Sequence, residues 1–294
     1  MSSSAPGPRS SVTIRIARPE DAEACGPICY RAFYTINTNH NFTPDIPSPE
    51  RATGLLKMLF AHPRFYCVLA EVDGRIVGSN CLDERSSIAG VGPITVDPDA
   101  QNAGAGRMLM RAVMDRARDR GSAGIRLVQA AFHNRSLSLY TKLGFDPREP
   151  LSCMNGPALH KQIPGCSVRP AVTADLDDCD RVCQLVHGHE RHWELVDAIN
   201  EGSATVVERG GRITGYATGL AFFSHAVTES LPDLQALIGA AESFGGPGML
   251  VPTRNARLLR WCLENGLRVT QPMTLMSTGL YNEPAGAWLP SITF

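Results

Sequence analysis

The stretch Gln101-Asn102-Ala103-Gly104-Ala105-Gly106-Arg107 combines two closely spaced glycines with a change of hydrophobic period. Ahead of it, Ile88 to Val96 is apolar and β-branched enough to be a buried strand. Behind it, Met108 to Arg120 repeats Leu109, Ala112, Val113, Arg116 and Ala117 at helical spacing. The segment therefore reads as a strand-to-helix turn with glycines where the helix begins. The first N–H groups of a helix lack partners within it, and the dipole places about +0.5 charge there. Gly104 and Gly106 remove the side chains that would hold an anion off those donors, so the hole suits a diphosphate. No Gly-x-x-x-x-Gly-Lys-Ser/Thr is present, which argues against a P-loop. A dinucleotide fingerprint fails as well: Leu109 replaces its third glycine, and the strand near Ile125 to Ala131 ends without the ribose-binding acid. Taken bare, two such glycines also suit a helix start that merely packs tightly.

The neighbours decide between these readings. Val96-Asp97-Pro98 followed by Gln-x-x-Gly-x-Gly-Arg resembles the acetyl-CoA pyrophosphate loop of the GNAT N-acetyltransferase superfamily. Downstream, Asn134-Arg-Ser-Leu-Ser-Leu-Tyr140-Thr-Lys-Leu-Gly144-Phe145 resembles that family's next segment, in the right order. The resemblance implies acetyl transfer from acetyl-CoA to a primary amine, without a metal. Carried over by position, Gln101 to Arg107 hold the diphosphate, and the backbone of Ile94, Thr95 and Val96 meets the pantetheine and acetyl carbonyl. Asn134 and Tyr140 are further cofactor contacts, with Asn134 also read as a helix N-cap. Pro93, lacking an N–H, fits a local break in pairing, as would a plain strand-edge proline. Tyr140 is the implied general acid, since a phenol of reference pKa about 10 can protonate a thiolate of about 8.5. An aromatic packed beside Leu137 and Leu143 is the plainer alternative. Asp83, Glu84, His133 and Asp97 are all candidate bases, and a water chain would also serve.

The elements that position these residues follow from pattern. Val12 to Ala17 alternates as a strand, and Arg18-Pro19-Glu20-Asp21 opens a helix to about Phe33. Tyr34 to Pro47 reads as a polar loop where the family forms its acceptor wall, with Tyr34, His40 and Asp45 suggesting a polar acceptor. Ser48 caps a helix beginning at Pro49. Phe65 to Val72 and Arg75 to Asp83 form a hairpin across Asp73-Gly74. Met154 to Gly165 is a linker, after which the beginning repeats. Ser167-Val-Arg169-Pro170 echoes Ile16-Ala-Arg18-Pro19, Ala204 to Gly215 echoes Cys67 to Gly78, and Asn255 to Leu267 echoes Asn134 to Phe145. The expected fold is α/β (α+β): two tandem GNAT-like domains, each a mixed central sheet flanked by helices. Residues 1–11 form a tail, 12–153 the catalytic domain, 154–165 the linker and 166–294 a degenerate copy. In that copy Ser224 to Glu229 stands where the glycine loop would be, and Trp261 or Cys262 stands opposite Tyr140. The second half is therefore expected to be a catalytically silent support.

Composition bounds the remainder. A net charge of −1 gives no general attraction to nucleic acid or anionic membrane, and no apolar run is long enough to span a bilayer. Nine cysteines without a secretory signal point to reduced thiols and a cytoplasmic protein. Cys25/Cys29 and Cys179/Cys183 read as buried apolar side chains in matching places. His187-Gly-His189-Glu-Arg-His192 could ligate a metal but lacks a second cluster. The expected partner is a small-molecule amine, with the oligomeric state open. Two alternatives stand: a non-catalytic acyl-CoA sensor that binds a partner, and a peptide or protein N-acetyltransferase. The end from Ala287 to Phe294 is apolar throughout and is expected to pack between the halves, with the Phe294 carboxylate in the cleft as a bolder option.

Overall fold

A computed structural model describes residues 11–101 and 104–293. The first half runs β1 (Val12–Ile16), α1 (Ala22–Asn39), α2 (Pro49–Ala61), β2 (Phe65–Val72), β3 (Arg75–Asp83), β4 (Ile88–Val91), β5 (Thr95–Val96), α3 (Ala105–Asp119), β6 (Gly124–Ala130), α4 (Asn134–Lys142) and β7 (Asp146–Asn155). The second runs β8 (Cys166–Pro170), α5 (Leu176–His187), α6 (His192–Asn200), β9 (Thr205–Arg209), β10 (Arg212–Ala217), β11 (Ala226–Thr228), α7 (Leu231–Ala240), β12 (Met249–Pro252), α8 (Ala256–Glu264), β13 (Arg268–Gly279) and β14 (Ala287–Leu289). Helices pack on both sheets, but only the larger one is mixed, through the parallel pair β4–β6. The smaller is antiparallel in every pair, against the expectation of a mixed sheet in each half. In β2 the period of two is explicit: Cys67 and Leu69 enter the core under α1 and α2, while Val68 and Ala70 enter the core under α3.

Local signals explain the elements that the sequence predicts well. The Ser48 hydroxyl accepts from the Arg51 N–H at 3.3 Å, ahead of Pro49. Asp73 and Gly74 both take positive φ, 51° and 76°, the geometry of a two-residue hairpin turn. Two expectations fail. α1 continues through Asn39, so Tyr34 to Asn39 is helical rather than loop. Burial of Asn37, 1% exposed, outweighs the weak helix preference of its Thr and Asn neighbours. The expected strand from Ile88 to Val96 divides in two. Val91 pairs with Leu82 and Thr95 with Ser79, so one extra residue bulges out around Gly92 and Pro93.

The internal repeat is real but sits in a different register from the Arg-Pro likeness. Arg15 bonds Asp21 and Glu71, both at 2.7 Å, and Arg169 bonds Asp175 at 2.7 Å and Glu208 at 2.8 Å. Arg169 therefore corresponds to Arg15, not Arg18. Cys25 and Cys29 correspond to Cys179 and Cys183 on the same spacing, and all four are buried free thiols. At the other end, Cys262 rather than Trp261 answers Tyr140. Phe145 N–H bonds the Tyr140 carbonyl at 3.0 Å, as Leu267 N–H bonds that of Cys262 at 3.1 Å.

The two copies exchange strands. The larger sheet has the order β1-β2-β3-β4-β6-β13-β7-β12, with β5 also on β3. β13, a second-half strand, thus lies between β6 and β7 of the first, and β7 carries β12 of the second on its far edge. The smaller sheet has the order β14-β11-β10-β9-β8. Here β14 pairs with β11 and packs against β12, filling the place between them.

A buried polar layer also joins the halves. Arg85 spans from Asp83 at 2.6 Å to Asp197 of α6 at 2.9 Å, and Ser86 Oγ donates to the Glu190 carbonyl at 3.0 Å. Behind them Arg191 is paired with Glu194 at 2.6 Å, both buried. The three histidines of the His187 to His192 run go to different partners: His187 meets the Trp288 ring edge-on, His189 is buried against the Glu190 carbonyl, and His192 bonds Asp180 at 2.6 Å. Among the described residues no group of His, Cys, Asp and Glu could hold a metal ion.

Burial pushes His189 and His225 down to about 4. Unfolded histidine titrates near about 6.5, so between these values the unfolded chain binds more protons than the folded one. Stability accordingly rises with pH across that window and is lost as pH falls through it, by up to about 1.4 kcal/mol per pH unit for each ring. Thermal melts should show a lower Tm near pH 5 than near pH 7, a difference that His225→Gln reduces.

Candidate active site

Strand pairing opens a cleft in the first half. β4 runs parallel to β6 only over Ile88 to Gly90, paired with Gly124 to Arg126. Beyond that point β5 stays on β3, while Leu127 to Ala130 keep β13 on their other edge. The near edges of β5 and β6 therefore separate, exposing backbone groups that a sheet would pair. A cavity of about 700 Å³ occupies the gap, lined by Val91 to Val96, Leu127 to Ala130, the start of α3 and the first turns of α4. Ile94, Thr95 and Val96 all line it, as expected from the sequence.

The glycine turn closes one end of this cavity. Gly104 is the N-cap of α3 with φ 89°, and it supplies no capping side chain. The first backbone bond of the helix is Met108 N–H to the Gly104 carbonyl at 3.1 Å, so the N–H groups of Ala105, Gly106 and Arg107 precede the helical ladder. The two glycines act differently. Gly104 is needed for its left-handed backbone, while a Cβ on Gly106 would find only ordinary contacts with Val96 and Leu139, at 3.6 and 3.7 Å. Residue 106 is thus small because it lines the cavity, not because the fold forbids a side chain. No acid occupies the first turn of α3, and Gln101, Gly104, Ala105, Gly106 and Arg107 all border the cavity. The sequence-predicted contacts Asn102 and Ala103 lie outside the described residues. These groups fit a diphosphate at the helix start and an extended amide-bearing chain along the gap.

Tyr140 reaches the cavity from α4, with its ring packed against Phe145 at 6.3 Å between centroids. Burial pushes its phenol up, so it stays protonated at neutral pH. Asn134 also lines the cavity, but it is the first residue of α4; His133 is the N-cap, and its side chain makes no capping bond.

Of the four candidate bases only His133 borders the cavity, and burial, Arg135 and His40 hold it below the usual histidine range. The others are engaged elsewhere: Asp83 by Arg85, Glu84 by Arg116 and Arg120 at 2.8 and 2.7 Å, and Asp97 by Arg31 at 2.8 Å.

The opposite wall combines both halves. α1 and the loop after it supply Asn37, His40 and Asp45; the second half supplies Phe222, Phe223, Met273, Ile292 and Thr293. The chain end does pack between the halves. Ile292 N–H bonds the Phe222 carbonyl at 2.8 Å, and the Thr293 carbonyl lies so close to Gly90 that a Cβ there would clash at 1.9 Å. The Phe294 carboxylate lies outside the described residues. The second half is therefore more than a distant support, because it forms part of the cavity wall. Sequence reasoning missed Gln271 entirely: it donates to Asp45 Oδ1 at 2.6 Å from β13, and no local pattern marks it.

The corresponding region of the second half differs. Residues 226–228, expected as a loop, are β11, and α7 begins only at Leu231. Its start carries its own acid: Asp233 is fully buried, bonded to Ser230 and held by Arg209 at 2.8 Å. Glu229 is paired with Arg212 and Arg181.

Residues 30–145, less than half of the chain, match the model of the acetyltransferase (GNAT) family. The match runs from within α1 to Phe145, across the strands and helices that form the cleft. A curated relative, a mycothiol acetyltransferase of Nocardia farcinica, is 38% identical over 65 residues, 22% of this chain and 22% of its own length. A solved structure from Pyrococcus horikoshii superposes over 94% of both chains with a TM-score of 0.71 at 18% identity. A tandem GNAT protein from the clavulanic acid biosynthesis pathway superposes over 92% of this chain and 98% of its own, with a TM-score of 0.55 at 13% identity. The two structures establish likeness of fold along nearly the whole chain, in the tandem arrangement. The curated match spans about a fifth of the relative's length. Among the described residues no helix is long and apolar enough to cross a membrane.

Proposed function

We propose that this chain transfers an acetyl group from acetyl-CoA to the nitrogen of a small primary amine, in the cleft between β5 and β6. The observation that carries this reading is convergence. Unpaired helix-start donors, an opened strand edge and the Tyr140 phenol all border one cavity, in a domain of the acetyltransferase family. The name of the Nocardia relative supports a small-molecule acceptor over the short stretch they share.

The co-substrate supplies an activated thioester. N–H groups of Gly104 to Arg107 hold its diphosphate, and the freed backbone of Ile94 to Val96 holds and polarises its carbonyls. Asn134 and Gln101 border the same path. Tyr140 gives its proton to the departing sulfur. Burial raises the phenol's pKa, but the same apolar surroundings make a thiolate more basic, so donor and acceptor remain matched.

Tyr140→Phe removes one oxygen and preserves packing against Phe145. It should lower kcat by about 10²–10⁴ with acetyl-CoA affinity little changed. The measurement is CoA release across a panel of amines, aminoglycosides and peptides, with calorimetry for binding. Unchanged kcat with chemistry rate-limiting removes Tyr140 from the mechanism. Binding of acetyl-CoA without turnover of any acceptor replaces the enzyme by the acyl-CoA sensor.

A further inference from the structure

Asp45 is the sole carboxylate among the described residues that line the cavity. One of its oxygens accepts from Gln271 Nε2 at 2.6 Å, leaving the other without a bond to that amide. Both polar atoms of the Asn37 amide, on a residue 1% exposed, and Gln271 Oε1, on a residue 2% exposed, are buried without a partner. Asn37 also lies against the Asp45 carboxylate. Toward the cavity the niche presents oxygen acceptors on Asp45 and Asn37, with the Asn37 amide nitrogen as a donor beside the carboxylate. Buried polar atoms left unpaired are costly unless a ligand satisfies them. A primary ammonium offers three donors and no acceptor, a match for the Asp45 and Asn37 oxygens.

The surrounding wall has different chemistry. Phe132, Phe222, Phe223, Met273 and Ile292 also line the cavity, and Phe132 stacks on Phe42 at 4.3 Å. A second or third positive charge on the acceptor would meet these apolar side chains, with no further carboxylate among the described lining residues.

From this juxtaposition we infer that the acceptor is a monoamine with an apolar or aromatic body, its ammonium seated on Asp45 and Asn37, with Gln271 of the second half holding the carboxylate from behind. The inference rests on the acetyl-transfer reading and names the substrate class of that site. Gln271 is a positioning residue: it fixes one carboxylate oxygen and leaves the other for the amine. Burial raises the Asp45 carboxyl against the lowering effect of the Gln271 and Asn37 amides, which brings it closer to the range of a base. One N–H bond of the ammonium breaks, its proton passes to the free Asp45 oxygen, and the nitrogen lone pair is released for attack on the acyl carbon.

The test uses the full chain with acetyl-CoA and four probes: phenylethylamine, its uncharged analogue phenylethanol, spermidine and kanamycin. The expected kcat/KM for phenylethylamine exceeds those for spermidine and kanamycin by about 100-fold. Asp45→Asn, which keeps the side chain's size, should lower kcat/KM for phenylethylamine by about 100-fold while KM for acetyl-CoA and the melting temperature hold. By calorimetry on the CoA-bound protein, wild type should prefer phenylethylamine to phenylethanol, and Asp45→Asn should lose that preference. Preference for the polycations, no turnover of phenylethylamine, or unchanged Asp45→Asn kinetics overturns the inference while acetyl-CoA binding preserves the cofactor site. Failure of wild type to bind acetyl-CoA overturns the acetyl-transfer reading as well.

Discussion

The double variant Gly104→Val/Gly106→Val should bind no acetyl-CoA, and wild type should bind one molecule per chain rather than two. In the first half, N–H groups at the start of α3 can each make a charge-assisted bond worth about 1.5–3 kcal/mol. Losing two such bonds weakens binding by about 10²–10⁴-fold. Gly104→Val also strains a residue at φ 89°, so Gly106→Val alone is the necessary control, because its Cβ has room within the fold. The second half offers no substitute. Asp233 sits in the first turn of α7, and β14 fills the place between β11 and β12 that stays open between β5 and β6. Calorimetric titration with circular dichroism checks both statements. Two sites in wild type, or one surviving in the folded double variant, would make the second half a working cofactor domain.

The second large effect concerns the exchange of strands. Residues 1–165 produced alone should fail to fold, although they contain every phosphate-binding and acid residue proposed above. Without β13 both β6 and β7 lose their shared neighbour, and Met273, Leu275 and Met276, all buried, leave the core. Removing a buried Met or Leu costs about 2–5 kcal/mol, so three exceed much of the roughly 5–15 kcal/mol that holds a domain together. Supplying residues 166–294 on a second chain should restore a soluble pair with cooperative unfolding. Size-exclusion chromatography and thermal melts read this directly, and a folded, monomeric 1–165 fragment would contradict it.

Legibility in the sequence followed the range of the interactions. The Asp73-Gly74 hairpin, the Ser48 cap and the glycine turn are local, and each is fixed by residues within a few positions. The copying of the fold was legible because Cys25/Cys29 and Cys179/Cys183 repeat one helical spacing. Its register was not, because the Arg-Pro dipeptide recurs by chance three residues away from the ion-paired arginine. The exchange of β7 and β13 has no local signature: both are copies of one strand, so pattern alone suits either to either slot. Asp45 was visible as an acid in the acceptor loop, while Gln271 was not, since only β13's place in the first sheet brings it there.

Strand exchange also sets a timetable for synthesis. β6 and β7 leave the ribosome well before Arg268 to Gly279, the strand that separates them. At about 5–20 residues per second, roughly 6 to 25 seconds pass with two apolar strand edges waiting for a neighbour. During that interval direct β6–β7 pairing, or pairing with another nascent chain, competes with the native arrangement. Production in cells is therefore expected to depend on holdase chaperones more than on the final stability, and to improve when translation of the second half is fast. A ribosome that stalls before residue 268 releases a chain with its glycine turn and tyrosine made but no finished sheet to carry them.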